Sequence, residues 1–172
     1  MLPHTPRNAD IRPERTDRSG PSIITAVDPL TLTPIGTVVN GEHDIARGDW
    51  SRQRSDIQLR DGFEDRLLGL EDYSHVIVIG WLDQVPEELR DRPTAYPAGD
   101  DSLPLQGALA LRGGARPNPI SVTVCELRAI EGATLTVQGL DLVDGTPILD
   151  VKPYIAFYDA RPDATLPRWA QG

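Results

Sequence analysis

The sequence predicts a mainly β fold organised as a closed or nearly closed antiparallel sheet, with short helices and one long proline-rich loop. Short runs rich in β-branched residues recur from Thr33 to Phe157. Turn-forming groups separate them, including Asn40-Gly41, Glu131-Gly132 and Asp144-Gly145-Thr146-Pro147. Helical spacing of apolar residues is confined to brief segments. Short strands with frequent turns and little helix are the pattern of an all-β domain that closes its own sheet edges.

Taken in order, Ile35, Thr37 and Val39 alternate with their neighbours before the Asn40-Gly41 turn and predict the first strand. Phe63 to Leu70 has helical apolar spacing with Gly69 near its end, which predicts a short helix or turn. The stretch SHVIVIGWL at 74–82 is apolar on both faces, as in a central strand covered on both sides. Residues 83–111 are interrupted by Pro86, Pro93, Pro97 and Pro104, so only Pro86 to Arg90 can form a helical turn. Loops of such length are uncommon in compact domains and are usually functional or mobile. Ile120, Val122 and Val124 then alternate with Ser121 and Thr123, predicting a half-buried strand. Across the Glu131-Gly132 turn, Leu135 and Val137 alternate with Thr134, Thr136 and Gln138 to give its partner. A last strand is expected from Ile148 toward Phe157.

A chain of 172 residues has room for one domain. Residues 1–21 carry Pro3, Pro6 and Pro13, four arginines and almost no large apolar groups. Such a segment buries too little surface to offset its ordering entropy, so a flexible arm is expected there. The domain is expected over 22–160 and a tail over 161–172. No apolar run approaches the roughly 18 residues of a membrane span, and the N-terminus has no secretory-type apolar segment. Cys125 is the single cysteine, which excludes an internal disulfide and fits a cytoplasmic, reducing environment. The net charge of −9 argues against broad charge-driven nucleic-acid binding but leaves room for a local basic site.

Familiar cofactor signatures are absent: there is no phosphate-cradling lysine loop, no Gly-x-Gly-x-x-Gly and no cysteine pair for zinc. His4, His43 and His75 are too scattered to predict a metal site. Cys125, within a strand, reads as a small core hydrophobe rather than a nucleophile. Two clusters remain. In the first, Arg112 and Arg116 flank Gly113-Gly114, and Arg116 leads into Pro117-Asn118-Pro119-Ile120. Proline holds Arg116 and Asn118 extended, the glycines permit close backbone approach, and either arginine can clamp a carboxylate. The second is LDLVDGTPILD at 140–150, whose acids can accept hydrogen bonds from ribose hydroxyls or balance a cation. Ordinary loop and turn chemistry accounts for each cluster slightly better than a binding role on these grounds.

Together the two clusters resemble the TsaA-like proteins, the family of the TrmO tRNA methyltransferases. The shared segments are PIG at 34–36, LGLEDYSH at 68–75, Arg112 with RPNPI at 116–120, and GLDLVDGTPILDVKPY at 139–154. The resemblance covers roughly 33–158, and the last run is highly specific. It implies a small antiparallel β-barrel, S-adenosylmethionine as methyl donor without a metal, and a homodimer with the donor near the protomer interface. In characterised relatives the acceptor is N6-threonylcarbamoyladenosine beside the anticodon of certain tRNAs.

Carried over residue by residue, the donor site implied by the resemblance comprises Asp83, Gln84, Arg112, Val122, Asp144, Gly145 and Thr146. A further contact is expected in a variable loop around Arg54 to Ile57. For the transfer itself, Arg112, Arg116 and Lys152 are the candidate catalytic residues, the arginines for a carboxylate and Lys152 for orienting the acceptor. Asp141 is an alternative to Asp144 for the donor's hydroxyls or positive charge. Departures from the family pattern are Asp83 in place of histidine, Ser121 after Ile120 in place of glycine, and Gly113-Gly114 in place of a Ser-Pro-like pair. The loop before Arg112 carries Asp100 and Asp101 where tRNA-modifying relatives are often basic. These departures leave open a small-molecule acceptor, or a non-catalytic protein that binds the donor.

Overall fold

The computed structural model describes residues 29–44, 46 and 48–171. The arm expected at 1–21 lies outside them. The chain divides into Met1–Thr31 and a compact unit, Leu32–Gly172. Six strands of the second unit close into a barrel: β1 (Gly36–Val39), β2 (Arg54–Leu59), β3 (His75–Trp81), and then β6 (Ile120–Glu131), β7 (Thr134–Gln138) and β8 (Pro147–Pro153). The order around the barrel is β1-β2-β7-β6-β3-β8, antiparallel at every junction. The long segment between β3 and β6 holds α1 (Glu87–Arg90) and a two-stranded ribbon, β4 (Thr94–Ala95) with β5 (Gln106–Gly107). A second helical turn, α2 (Ala156–Asp159), follows β8. No helix among the described residues is long and apolar enough to cross a membrane.

Period-two alternation fills the interior. Val38 from β1, Ile57 and Leu59 from β2, Val76 and Val78 from β3, Leu135 and Val137 from β7 and Ile148 from β8 are all buried in one cluster. In β1 the inward parity is Gly36 and Val38, not Thr37 and Val39, while Ile35 just ahead of the strand packs against the core. Gly36 is needed because β1 and β2 meet closely: a Cβ there would lie 2.5 Å from the Gln58 carbonyl oxygen. The parity of β6 likewise differs from the simplest apolar-inward reading. Cys125 is the buried residue, while Val122 and Val124 point outward at 46% and 49% exposure. Opposite them in register on β3 are Ile79 and Ile77, also on the outer face. The double-sided apolar character of β3 is therefore real, but among the described residues only its inner face is fully covered.

The other elements follow their local chemistry. The segment after β2 forms two 3-10 turns, Glu64–Leu67 and Leu70–Asp72, rather than one helix. Pro86 caps α1, where its missing N–H costs nothing. β8 stops at Pro153, short of the expected Phe157, which instead lies in α2. The β3–β8 register slips between Ile79 and Gly80. Such a bulge bends a strand locally, and it falls at the end of β3 that leads into the candidate site.

Candidate functional site

Three chain segments meet at one end of the barrel. The first leaves β3: the Leu82 amide donates to the Pro119 carbonyl at 2.8 Å, tying the Asp83-Gln84 pair to the proline-stiffened loop. The second is that loop. Pro119 is fully buried, the Ile120 amide donates to the Asn118 carbonyl at 2.7 Å, and the Arg116 amide to the Gly114 carbonyl at 2.8 Å. The third is the turn after β7, held against the end of β1. The Gly145 amide donates to the Val38 carbonyl at 2.8 Å and the Val38 amide to the Thr146 carbonyl at 3.0 Å.

Between them lies a cavity of about 390 Å3, whose lining includes Trp50, Asp83, Gln84, Arg112, Asp141 and Thr146. Leu82, Val85, Leu89 and Leu142 supply an apolar floor, and Ser121 lines it as well. Leu142 also belongs to the barrel core, so the cavity is built directly on the packed interior. Its volume falls in the lower part of the range usual for small-molecule sites, about 300–1,000 Å3. Gly114 closes one wall. A Cβ on it would sit 2.8 Å from Val85 Cγ2 and 2.9 Å from Leu82 Cδ1, whereas a Cβ on Gly113 would meet open space. Of the two glycines, only Gly114 is required by close approach.

The sequence-derived candidates separate into two groups. Asp83, Gln84, Arg112 and Thr146 converge on the cavity, joined by the alternative acid Asp141. Arg112 donates a hydrogen bond to the Val122 carbonyl, so Val122 contributes through its backbone while its side chain faces outward. Asp141 accepts from the Thr123 hydroxyl, which fixes the carboxylate at the cavity edge. Thr146 is buried, and its hydroxyl donates to the Val143 carbonyl at 2.8 Å.

The other candidates are engaged elsewhere. Asp144 Oδ1 accepts from the amides of Asn40 at 2.7 Å and Gly41 at 2.9 Å. Those amides, Gly41 first, hold its carboxyl below the ordinary carboxylate range. Asp144 and Gly145 thus secure the turn, and neither lines the cavity. Arg116 donates to the carbonyls of Leu111 and, at 3.0 Å, Gly113, locking the loop onto itself. Lys152 lies on the outer barrel face opposite Ile77 and pairs with Asp150 at 2.5 Å. Cys125 is buried, and burial together with the Asp141 charge pushes its thiol up to about 12, in keeping with a core role.

Residues 54–57 belong to β2, with Ser55 and Ile57 buried inside the barrel, rather than to a variable loop. The cavity residue from this part of the chain is Trp50, which the sequence reading missed. A tryptophan in a polar stretch just ahead of a strand was the available signal.

Comparison with known proteins bears on the whole of this architecture. The family model of the tRNA-methyltransferase O N-terminal domain matches residues 45–160. An Archaeoglobus fulgidus "S-adenosyl-L-methionine-binding protein" is 34% identical over 129 residues, covering 73% of this chain and 89% of that protein. A second from the same organism, named a probable S-adenosyl-L-methionine-binding protein, is 39% identical over 114 residues, 66% of this chain but 30% of its own length. The Escherichia coli tRNA (adenine(37)-N6)-methyltransferase is 37% identical over 105 residues, 59% of this chain and 44% of the enzyme. Among solved structures, TrmO from Pseudomonas aeruginosa superposes with a TM-score of 0.65 at 31% identity, over 80% of this chain and 61% of that one. The chain thus spans less than two thirds of several of the proteins it matches. With the model covering well over half of its residues, the chain belongs to the tRNA-methyltransferase O N-terminal domain family.

Proposed function

We propose that this protein is an S-adenosylmethionine-dependent methyltransferase, that the donor binds in the cavity between Trp50, Asp83 and Arg112, and that the acceptor is N6-threonylcarbamoyladenosine in the anticodon loop of tRNA. The observation that carries the reading is convergence. Asp83, Gln84, Arg112 and Thr146 are dispersed over 64 positions of sequence, yet line one cavity. The names of the relatives from Archaeoglobus fulgidus and Escherichia coli support both the donor and the acceptor class.

The residues present suit such a donor. The carboxylates of Asp83 and Asp141 complement a cation and can accept from ribose hydroxyls, Arg112 can hold a carboxylate, and Leu82, Val85 and Leu142 offer apolar surface. When bound, the donor supplies an electrophilic methyl group on a positively charged sulfur. Transfer would need the acceptor nitrogen held in line with that methyl group, with the nitrogen's proton released to solvent or a base and the sulfur departing as a neutral thioether. What the protein contributes is alignment at near-attack distance and exclusion of water. The loop pinned by Arg116 and Pro119 serves the alignment. Asp144 and Gly145 act on the site by securing the turn that carries Thr146.

A homodimer across the outer face of β3 and β6 completes the proposal. Val122, Val124, Ile77 and Ile79 form an apolar stripe there, with the Lys152–Asp150 pair beside it. Exposed contiguous apolar surface of this kind marks interaction sites. Lys152 stands on this face, so a part in catalysis is open to it only across the dimer.

A second reading, a small-molecule acceptor, is favoured by the net charge of −9 and the exposed Asp100 and Asp101 in the loop before Arg112. The donor assignment is tested by calorimetry with S-adenosylmethionine. Saturable binding is expected, weakened about tenfold or more in Arg112→Ala by loss of a charge-assisted contact. Absence of binding by the parent chain overturns the donor assignment, and unchanged affinity in the variant removes Arg112 from the site.

A further inference from the structure

A second cavity, of about 710 Å3, lies back to back with the first. The two share the four consecutive residues Arg112, Gly113, Gly114 and Ala115 as a common wall. The far side of the second cavity is made by Tyr96 and Leu103 from the β4–β5 segment and by Leu166, Pro167 and Trp169 near the C-terminus. The last three lie beyond the residues 45–160 that the family model matches. Part of this cavity therefore lies outside the segment that the family model matches.

Its lining has an unusual composition. Nearly every side chain is apolar or aromatic, and Arg112 is the sole charged residue among those that line it. The Arg112 guanidinium carries five N–H donors, one of which goes to the Val122 carbonyl. Among the described residues the others have no partner. An apolar cleft with two aromatic walls and one cation with donors to spare is complementary to a flat apolar body bearing one negative charge.

We propose that this second cavity binds a planar aromatic group carrying a single anionic function, with Tyr96 and Trp169 against the ring and Arg112 against the anion. The further step, that the occupant is the methyl acceptor, rests on the donor reading of the first cavity. What ties the two sites together is Arg112, which lines both cavities. The C-terminal segment then acts as a specificity element through Trp169.

The binding claim can be tested without either natural ligand. Calorimetry on the full chain would compare 2-naphthoate with its neutral counterpart 2-naphthamide, and S-adenosylmethionine would be titrated separately. The naphthoate is expected to bind about tenfold or more tightly than the amide, as a charge-assisted hydrogen bond predicts. Trp169→Ala should weaken naphthoate about three- to tenfold, Trp169→Phe should retain most of the affinity, and Tyr96→Leu provides a second, independent loss. Equal affinity for the two probes, or naphthoate binding unchanged in both Trp169→Ala and Tyr96→Leu, overturns the proposal. Naphthoate binding with this pattern but no S-adenosylmethionine binding would sustain the second cavity and reject the donor reading. The converse result would do the opposite.

Discussion

Asp144 shows how a single residue can shape a cavity that it does not line. Its carboxylate receives the Asn40 and Gly41 amides and so joins the end of β1 to the turn that presents Thr146. The folded state holds its carboxyl below the ordinary range, so its contribution is present above the unfolded-state value and is lost as pH falls through the lower folded value. Asp144→Ala should therefore melt below the parent at neutral pH, with the gap closing in acid. A gap that does not change with pH would mean the two amide contacts are not the source. The sequence displayed three acids around Gly145, and only the resemblance put Asp144 ahead of Asp141. Only the structure turns Asp144 toward β1 and leaves Asp141, steadied by Thr123, at the cavity. The direction of a side chain out of a turn depends on what lies across from it, and that partner was about a hundred residues away.

At the scale of elements, the loop of residues 112–120 explains its own composition. Arg116 fastens the loop to its own carbonyls, the buried Pro119 receives the Leu82 amide, and Gly114 lets the backbone press against Leu82 and Val85. Gly114→Ala must displace those two cavity-lining side chains and should reduce donor affinity. Gly113→Ala, with open space at its Cβ, should stay within about 0.5 kcal/mol of the parent. Gly36→Ala would collide with the β2 backbone and should cost about 1–3 kcal/mol or more. Denaturant titration of the three variants measures the contrast, and equal costs would refute this account of the glycines. Strand positions were legible from alternation and turn pairs, because period two and Asx-Gly chemistry are local properties. Strand parity was not. In β6, Val122 and Val124 read as the natural core face, yet they point outward while Cys125 is buried. In the proposed dimer their outward apolar face meets a partner, which one chain's sequence does not display.

For the whole molecule, that face makes the assembly testable. The proposed homodimer should appear as twice the chain mass in light scattering. Val122→Glu with Val124→Glu should yield monomers with an intact barrel, since neither side chain contributes to the interior. A monomeric parent would remove the dimer from the account. A barrel whose donor-type cavity opens beside a second, aromatic cavity suits a two-substrate reaction. Its net charge of −9 confines any RNA contact to local features such as Arg112 rather than a broad basic surface.

The central claim is methyl transfer to a tRNA nucleoside, and one measurement addresses it most directly. The protein would be incubated with isotopically labelled S-adenosylmethionine and tRNA bearing N6-threonylcarbamoyladenosine, and the tRNA digested and its nucleosides weighed. The account predicts that this nucleoside gains one labelled methyl group and that the gain is lost in Arg112→Ala. An unchanged nucleoside, with the donor demonstrably bound and a tRNA-methylating relative active on the same tRNA, would contradict it.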